Sequence, residues 1–125
     1  MATVVVALDP CESLREDAGA ISKICDRLGP DTAARVLTRA IEELAIAVAA
    51  VATQVRLYNR GEVEWHSRRV QKLALGLGLI SLASVAGDLR RSHSDPTAFA
   101  AVCARLMRVA GGSLTMLSQR WVKAR

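Results

Sequence analysis

The stretch that decides the fold is His66–Leu89, HSRRVQKLALGLGLISLASVAGDL. Its first residues are strongly basic, and the remainder is almost without charge and rich in leucine, alanine and glycine. At about 100° per residue, the apolar residues of its first half recur on one side of a helix. Gly76 and Gly78 weaken that helix in the middle of the stretch. The stretch is therefore predicted to form two helices joined near the two glycines.

The rest of the chain has a composition that fits the same kind of structure. Small and straight apolar side chains supply most of the 51% hydrophobic content, and aromatic residues contribute only 3%. This balance is typical of closely packed helices. The length of 125 residues is enough for one domain with a single core. We expect one domain, residues 1–125, in which residues 1–8 form an N-terminal arm.

Two similar signals mark the start of the first and the last helix. Asp9-Pro10 and Asp95-Pro96 each combine a capping side chain with a proline at the first helical position. The first helix is predicted to run on to Gly29-Pro30, which stops it. The last helix carries apolar residues at near-heptad spacing as far as Trp121.

Three further helices are expected between these signals, and the last of the three follows Gly76 and Gly78. Asp31 is predicted to cap the second helix, which runs to a turn at residues 59–61. The third helix follows that turn, and Val63, Val70 and Ala74 lie within one arc of its helical wheel. Short connections between long helices favour antiparallel neighbours. We therefore predict an all-α fold, an antiparallel up-and-down four-helix bundle with an additional N-terminal helix.

The charge is distributed unevenly along the chain. Residues 1–55 contain five basic and eight acidic residues, a net charge of −3, whereas residues 56–125 contain twelve basic and four acidic residues, a net charge of +8. A basic surface of this kind can bind an acidic protein, nucleic acid or anionic lipid. The sequence has no recognisable helix-turn-helix segment and few aromatic residues for base stacking. A nucleic-acid-binding helical protein is therefore kept only as a second alternative.

Features of secreted, membrane-spanning or conventional catalytic proteins are not evident in the sequence. The opening residues lack a basic region before their apolar run, and the uncharged run of residues 73–87 is shorter than the roughly 18 residues of a membrane span. The cysteines, Cys11, Cys25 and Cys103, are odd in number and widely spaced, as expected of free thiols. We find no carboxylate pair, glycine-rich phosphate loop or Ser/His/Asp arrangement. We expect a cytoplasmic protein that needs neither a metal nor a cofactor.

The pattern around the two glycines resembles a known family. Leu77-Gly78 is followed by Leu82-Ala83-Ser84-Val85 and then by Leu89. This spacing resembles the histidine phosphotransfer (Hpt) domain of bacterial phosphorelays, a four-helix bundle in which an H-x-L-K-G motif precedes Leu-Gly and a helix reading L-A-x-L-x-x-x-L. The resemblance covers most of residues 11–118. It implies a signalling protein that binds a response-regulator receiver domain or a histidine kinase.

The same spacing indicates which residue takes the place of the family's phospho-accepting histidine. Counted back from Leu77-Gly78, that place falls on Arg68. The motif positions after it are occupied by Val70, Gln71 and Lys72. Arg68 lies opposite the apolar arc, and His66, about 200° away on the wheel, faces the core or its edge. Because arginine stays protonated, it cannot accept a phosphoryl group, so the resemblance implies an adaptor without its own acceptor.

A second register places His66 itself at the acceptor position. Arg69 then replaces the family's lysine, and Leu75-Gly76 replaces its Leu-Gly pair. However, this register puts Arg68 and Lys72 where the family has core residues, so the first register is favoured. Under the second register the chain is an active histidine phosphotransfer protein that uses His66.

A surface on the third helix is expected to bind the partner. It combines cations with an exposed tryptophan and two other polar side chains: Glu64, Trp65, Arg68, Arg69, Gln71 and Lys72. An exposed tryptophan beside cations suits a protein interface, although the same charges are also typical of an ordinary solvated face. The N-terminal arm, residues 1–8, is a candidate for self-association.

Overall fold

The structure, a computed structural model, describes residues 17–92 and 94–119. These residues form five helices: α1, Ala18–Leu28; α2, Pro30–Arg56; α3, Arg60–Gly76; α4, Ile80–Arg91; and α5, Pro96–Leu117. No β-strand occurs in the two described ranges, so the all-α prediction is confirmed there. The predictions for residues 1–8, Asp9-Pro10 and Trp121 lie outside the described residues.

The helices pack around one apolar core. Each helix contacts the next one along the chain, and α5 also contacts α2. Helices α2 to α5 therefore touch one another in a ring, and α1 lies against α2. The largest wholly buried side chains are leucines: Leu37, Leu44, Leu79, Leu82, Leu89, Leu106 and Leu117. Burial of this apolar surface is the main stabilising contribution to the fold.

The starts of α3 and α5 are capped by side chains. The Asp95 carboxylate accepts hydrogen bonds from the backbone N–H groups of Thr97 at 3.1 Å and Ala98 at 3.3 Å, as the Asp95-Pro96 signal predicts. Asn59, which we assigned to a turn, is the N-cap of α3, and its side chain accepts a hydrogen bond from the Glu62 N–H at 3.2 Å. Both contacts satisfy N–H groups that have no partner inside the helix.

The prediction that Asp31 caps α2 is wrong. Gly29 occupies the N-cap position with φ 80° and ψ 161°, Pro30 begins the helix and Asp31 lies in its first turn. Glycine adopts a positive φ without the steric cost that other residues incur. Proline pre-sets the helical φ at the next position. The pair that we interpreted as a stop for α1 is thus also the start of α2.

The prediction of one unbroken helix from residue 10 to Leu28 is also wrong. Asp17 is extended, with φ −109° and ψ 94°, and α1 begins at Ala18. The backbone N–H of Asp17 donates to the carbonyl oxygen of Gly78 at 2.7 Å, while its carboxylate accepts from the Gly19 N–H at 2.9 Å. A contact between residues that are far apart in sequence therefore accompanies the start of α1 at Ala18. Helical periodicity alone does not predict that contact.

The predicted break near the two glycines is confirmed. Helix α3 ends at Gly76 and α4 begins at Ile80. Gly78 lies between them with φ +74°, and a Cβ atom at this position would be only 2.3 Å from the carbonyl oxygen of Asp17. The turn therefore depends on glycine both for its backbone conformation and for the close approach of another segment.

Helix α5 is rich in apolar residues and carries two arginines, Arg105 and Arg108. Among the described helices it is the one long and apolar enough to cross a membrane by length and composition, with a mean hydropathy of 1.2 over the best window. Of that window, 28% is buried inside the molecule. Core helices of soluble proteins also satisfy this criterion of length and composition. The criterion therefore does not distinguish a membrane-spanning helix from a core helix.

Candidate protein-docking surface

Helix α3 has one face that is buried and one that is exposed. Val63, Ser67, Val70 and Ala74 are at most 5% exposed, and they recur at the three- and four-residue spacing of one helix face. The apolar members of this set were predicted from the helical wheel and are confirmed as buried. Ser67 was missed, although its place on the wheel, about 20° from Ala74, could have identified it.

The two residues that compete for the acceptor position have very different exposures. The side chain of Arg68 is 66% exposed, whereas that of His66 is 18% exposed. The Nε2 atom of His66 lies 3.4 Å from a carboxylate oxygen of Glu62, and its ring meets that of Trp65 edge to face at 4.8 Å between centroids. The wheel prediction that Arg68 points outward and His66 lies at the edge of the core is confirmed.

Glu64 connects α3 to α4. One of its carboxylate oxygens accepts from Arg68 Nη2 at 2.8 Å and from Arg90 Nε at 3.1 Å. Arg90 Nη1 also donates to Gln71 Oε1 at 2.9 Å. The hydrogen bond from Arg68, with that from Arg90, lowers the pKa of Glu64 below its ordinary value, and partial burial opposes the shift. Glu64 and Gln71 are half-buried and engaged at the helix interface, so they contribute less to the exposed surface than we predicted.

Arg90 is the functional neighbour that sequence reasoning missed. It is the first of two arginines at the end of α4. It follows Leu89, a wholly buried residue, and therefore lies beside the core at the edge of the helix. A long cationic side chain at such an edge can reach a carboxylate on the adjacent helix, which is the signal that could have indicated it.

The exposed side of α3 carries the remaining predicted residues. We call Trp65, Arg68, Arg69 and Lys72 the α3 outer face. Trp65 is 56% exposed, and Arg69 and Lys72 are exposed as well. Within the part of the chain that the structure describes, neither Arg69 nor Lys72 has an acidic group within 4 Å. The four residues span about 10 Å of helix, at about 1.5 Å per residue.

A groove adjoins this face. Arg69, Lys72 and the acidic Glu43 border a cavity of about 420 Å³ whose wall is formed mainly by apolar side chains of α1, α2 and α3. Among them, Val36 is 42% exposed. The groove places apolar surface directly beside two cations. This combination can receive an apolar side chain and an acidic group from one protein partner.

The described residues show little that is suited to covalent chemistry. The Ser67 hydroxyl is buried without a hydrogen-bond partner, so no base is hydrogen-bonded to it to activate it as a nucleophile. Burial raises the pKa of the Cys103 thiol, which disfavours the reactive thiolate. Between residues 17 and 119, leaving aside residue 93, no group of three His, Cys, Asp or Glu side chains is arranged to hold a metal ion.

Comparisons of the chain with protein-family models, with curated proteins and with solved structures find no significant match in any of the three. The class that the fold and the surface define is an all-helical protein with an exposed cationic helix face. The resemblance to Hpt domains therefore rests on the residues of the chain itself, above all on His66–Leu89.

Proposed function

We propose that this chain is an Hpt-like adaptor of a two-component phosphorelay that binds a response-regulator receiver domain and carries no phosphoacceptor histidine of its own. The observation that carries the proposal is the contrast between Arg68, 66% exposed, and His66, 18% exposed. In the favoured register Arg68 stands at the family's acceptor position. A guanidinium there can attract carboxylates but cannot take up a phosphoryl group.

The arrangement of the helices is part of the same proposal. We propose that α2 to α5 form an antiparallel up-and-down four-helix bundle and that α1 is the additional N-terminal helix. Support comes from the ring of contacts among α2 to α5 and from connections of only three or four residues between them. A cytoplasmic location, which we expect from the sequence, belongs to the proposal as well.

The chemistry of the α3 outer face supports an acidic protein partner. The resemblance implies that the partner's phosphorylation pocket is lined by carboxylates. Arg68 already shares one hydrogen bond with Glu64, but its guanidinium has five N–H donors and can hold a second carboxylate. Arg69 and Lys72 add positive charge on the same side. The neighbouring groove would accept an apolar contact, which gives affinity beyond the charge attraction.

Two alternatives remain to be tested beside the adaptor. An active phosphotransfer protein would need the imidazole of His66 as its nucleophile, and that side chain is mostly covered and lies beside Glu62 and Trp65. A nucleic-acid-binding protein would use the same cations against phosphates. A histidine kinase, rather than a receiver domain, is the other partner that the resemblance implies.

The adaptor is tested by titrating the protein with a panel of receiver domains and measuring affinity by calorimetry. We expect saturable binding to at least one domain, and we expect Arg68→Glu to weaken it at least about tenfold, because the substitution places a carboxylate against an acidic pocket. Arg35→Glu, the same charge reversal at an exposed position of α2, is the matched control and should bind like the wild type. Absence of binding across the panel would contradict the proposal.

The active alternative is tested by incubating the protein with a phosphorylated receiver domain. The adaptor predicts no acid-labile phosphate on the chain. If a label appears and is lost in His66→Ala, the second register is correct and the adaptor is not. DNA binding that weakens strongly as salt is added, and that is lost when Arg69 and Lys72 are replaced by neutral residues, would instead support the nucleic-acid alternative.

A further inference from the structure

Helix α2 has an exposed ridge directly opposite its core face. Its core face consists of Leu37, Leu44, Val48 and Val51. Helices α1, α3 and α5 pack against α2, yet Ile46 on the ridge is 70% exposed. At about 100° per residue, Glu42, Ala49 and Thr53 share the ridge with Ile46. Arg35 and Arg39 lie on the same side before Glu42, and Arg39 is paired with Glu43 at 4.0 Å. Nothing among the described residues covers this side of the helix.

The central part of the ridge is apolar. Between Glu43 and Arg56, twelve consecutive residues carry no charge, and those of them that face outward include Ala45, Ile46 and Ala49. Exposed alanines alone reflect high helix propensity. Propensity does not favour an exposed isoleucine, and apolar exposure continues past the helix end at Leu57, 65% exposed. The ridge therefore resembles an unpartnered contact surface more than an ordinary solvated face.

The charges at the two ends of this apolar part are complementary to each other. Glu42 lies seven residues before Ala49 and Arg56 seven residues after it, and both are exposed. Within residues 17–92 and 94–119, no basic group lies within 4 Å of Glu42 and no acidic group within 4 Å of Arg56. The two charges are about 21 Å apart along the helix axis. A surface with this symmetry is complementary to itself when it is turned through 180°.

From this pattern we infer that a second copy of the chain packs against α2 in the antiparallel direction, with the two-fold axis beside Ala49. In that arrangement Glu42 of each copy meets Arg56 of the other, so two ion pairs flank an apolar centre. A parallel arrangement would instead bring Glu42 against Glu42 and Arg56 against Arg56, which is repulsive. The distribution of charge therefore selects both the partner and the direction of packing.

The side chains on the ridge fit this arrangement. Ala49 at the axis, with Ala45 and Thr53 beside it, allows the two helices to approach to the short end of the usual 8–10 Å range. Tyr58, 91% exposed in the turn after α2, comes near Arg39 of the second copy, where its ring can contact the guanidinium. A contact along about 21 Å of one helix buries less area than a standard interface of about 1,200–2,000 Å². We therefore expect a dissociation constant of about 10–100 μM.

This dimer does not depend on the proposed adaptor function, because it uses α2 and leaves the residues of the α3 outer face out of the contact. Its test is sedimentation equilibrium of the full chain over about 1–500 μM, a range that brackets the expected constant. Arg56→Glu and Glu42→Arg should each weaken the dimer about tenfold or more, because each single change places two like-charged pairs across the axis. The double variant Glu42→Arg with Arg56→Glu should restore it. Arg27→Glu, on α1, is the control and should leave the dimer unchanged.

A cross-linking experiment tests the direction of packing. In a chain whose three native cysteines are replaced by alanine, Ala49→Cys should form a disulfide-linked dimer on mild oxidation, because only a residue at the axis meets its own copy within disulfide reach. Thr53→Cys alone should not, but a mixture of Ala45→Cys and Thr53→Cys chains should. A protein that stays monomeric at all concentrations overturns the inference. So does a double variant that fails to recover, or cross-linking of Thr53→Cys to itself as efficient as that of Ala49→Cys.

Discussion

The two faces of helix α3 show how differently neighbouring residues of one helix are used. Val63, Ser67 and Val70 are at most 5% exposed and belong to the core. Arg68 and Arg69, which directly follow Ser67, are exposed to solvent. The inner face decides stability, because its side chains fill space between helices. The outer face is exposed to solvent and contributes little to stability.

The contrast between His66 and Arg68 shows what this division means for function. Each lies one turn after a glutamate, Glu62 or Glu64, so their local sequence contexts are alike. Two residues on a helix are nevertheless about 200° apart, and only the arginine reaches solvent. The reactive type of side chain is therefore at the covered position, and the exposed position holds one that cannot relay a phosphoryl group.

The largest difference between the faces should appear when each receives a negative charge. Val70→Asp buries a carboxylate without a partner and should lower the free energy of unfolding by about 4 kcal/mol or more, or abolish folding. Arg69→Asp, one residue earlier on the outer face, should change it by less than about 1 kcal/mol. Urea unfolding followed by circular dichroism measures both. Similar losses in the two variants would show that the division between the faces is mistaken.

Two glycines at the end of α3 repeat the comparison on a smaller scale. Gly78→Ala should lower the free energy of unfolding by about 2–4 kcal/mol, because the added Cβ meets the Asp17 carbonyl oxygen at 2.3 Å and the backbone φ is +74°. A Cβ on Gly76 meets nothing within 4 Å, so Gly76→Ala should stabilise the protein by up to about 1 kcal/mol. Thermal unfolding of the pair tests this. Equal midpoints would contradict both the contact with Asp17 and the positive φ at Gly78.

The inner face is expected to contain one unfavourable group. Ser67→Ala removes a buried hydroxyl that lacks a hydrogen-bond partner, and it should raise the free energy of unfolding by about 1 kcal/mol, with a contribution from the higher helix propensity of alanine. Ser113→Ala, at a buried serine of α5, serves as a comparison. A loss of stability in Ser67→Ala would reveal that the hydroxyl has a partner in solution.

The smallest effect should come from Glu64, which lies between the two faces. Its pKa in the folded state is lowered, chiefly by the hydrogen bond from Arg68. The stabilisation is therefore present above the ordinary pKa of glutamate and is lost as the pH falls through the lowered value. Because the side chain is 40% exposed, screening limits the effect to about 0.5 kcal/mol.

Glu64→Gln measures that contribution. The difference in free energy of unfolding between the wild type and this variant should be largest near neutral pH and should shrink towards zero in acid. Urea unfolding at a series of pH values provides the measurement. A difference that grows on acidification would contradict the lowered pKa.

The parts of the fold that could be predicted depend on local physics. Asp95-Pro96 predicts the start of α5 because a carboxylate and a proline act on the adjacent backbone. The buried residues of α3 and α4 follow from apolar periodicity, and the break between them follows from Gly76 and Gly78. The exposure of Arg68 was predictable for the same reason, since a helical wheel needs only the spacing of the apolar residues.

The parts that could not be predicted depend on contacts between distant segments. Asp17 is extended beside the Gly78 carbonyl, at a point where periodicity alone predicts a continuous helix. Arg90 on α4 donates hydrogen bonds to Glu64 and Gln71 on α3. Two residues of the predicted surface are therefore engaged at the interface between these helices. Neither contact can be read from a pattern within one helix.

The sequence by itself determined the helical class, most of the buried residues and the outward direction of Arg68, because the period of a helix and the conformations of proline and glycine are local properties. Only the tertiary structure decided where α1 begins, which polar side chains of α3 accept hydrogen bonds from Arg90 and which ridge of α2 stays uncovered. Those features depend on which distant segments come together, and that is settled by the packing of the whole core.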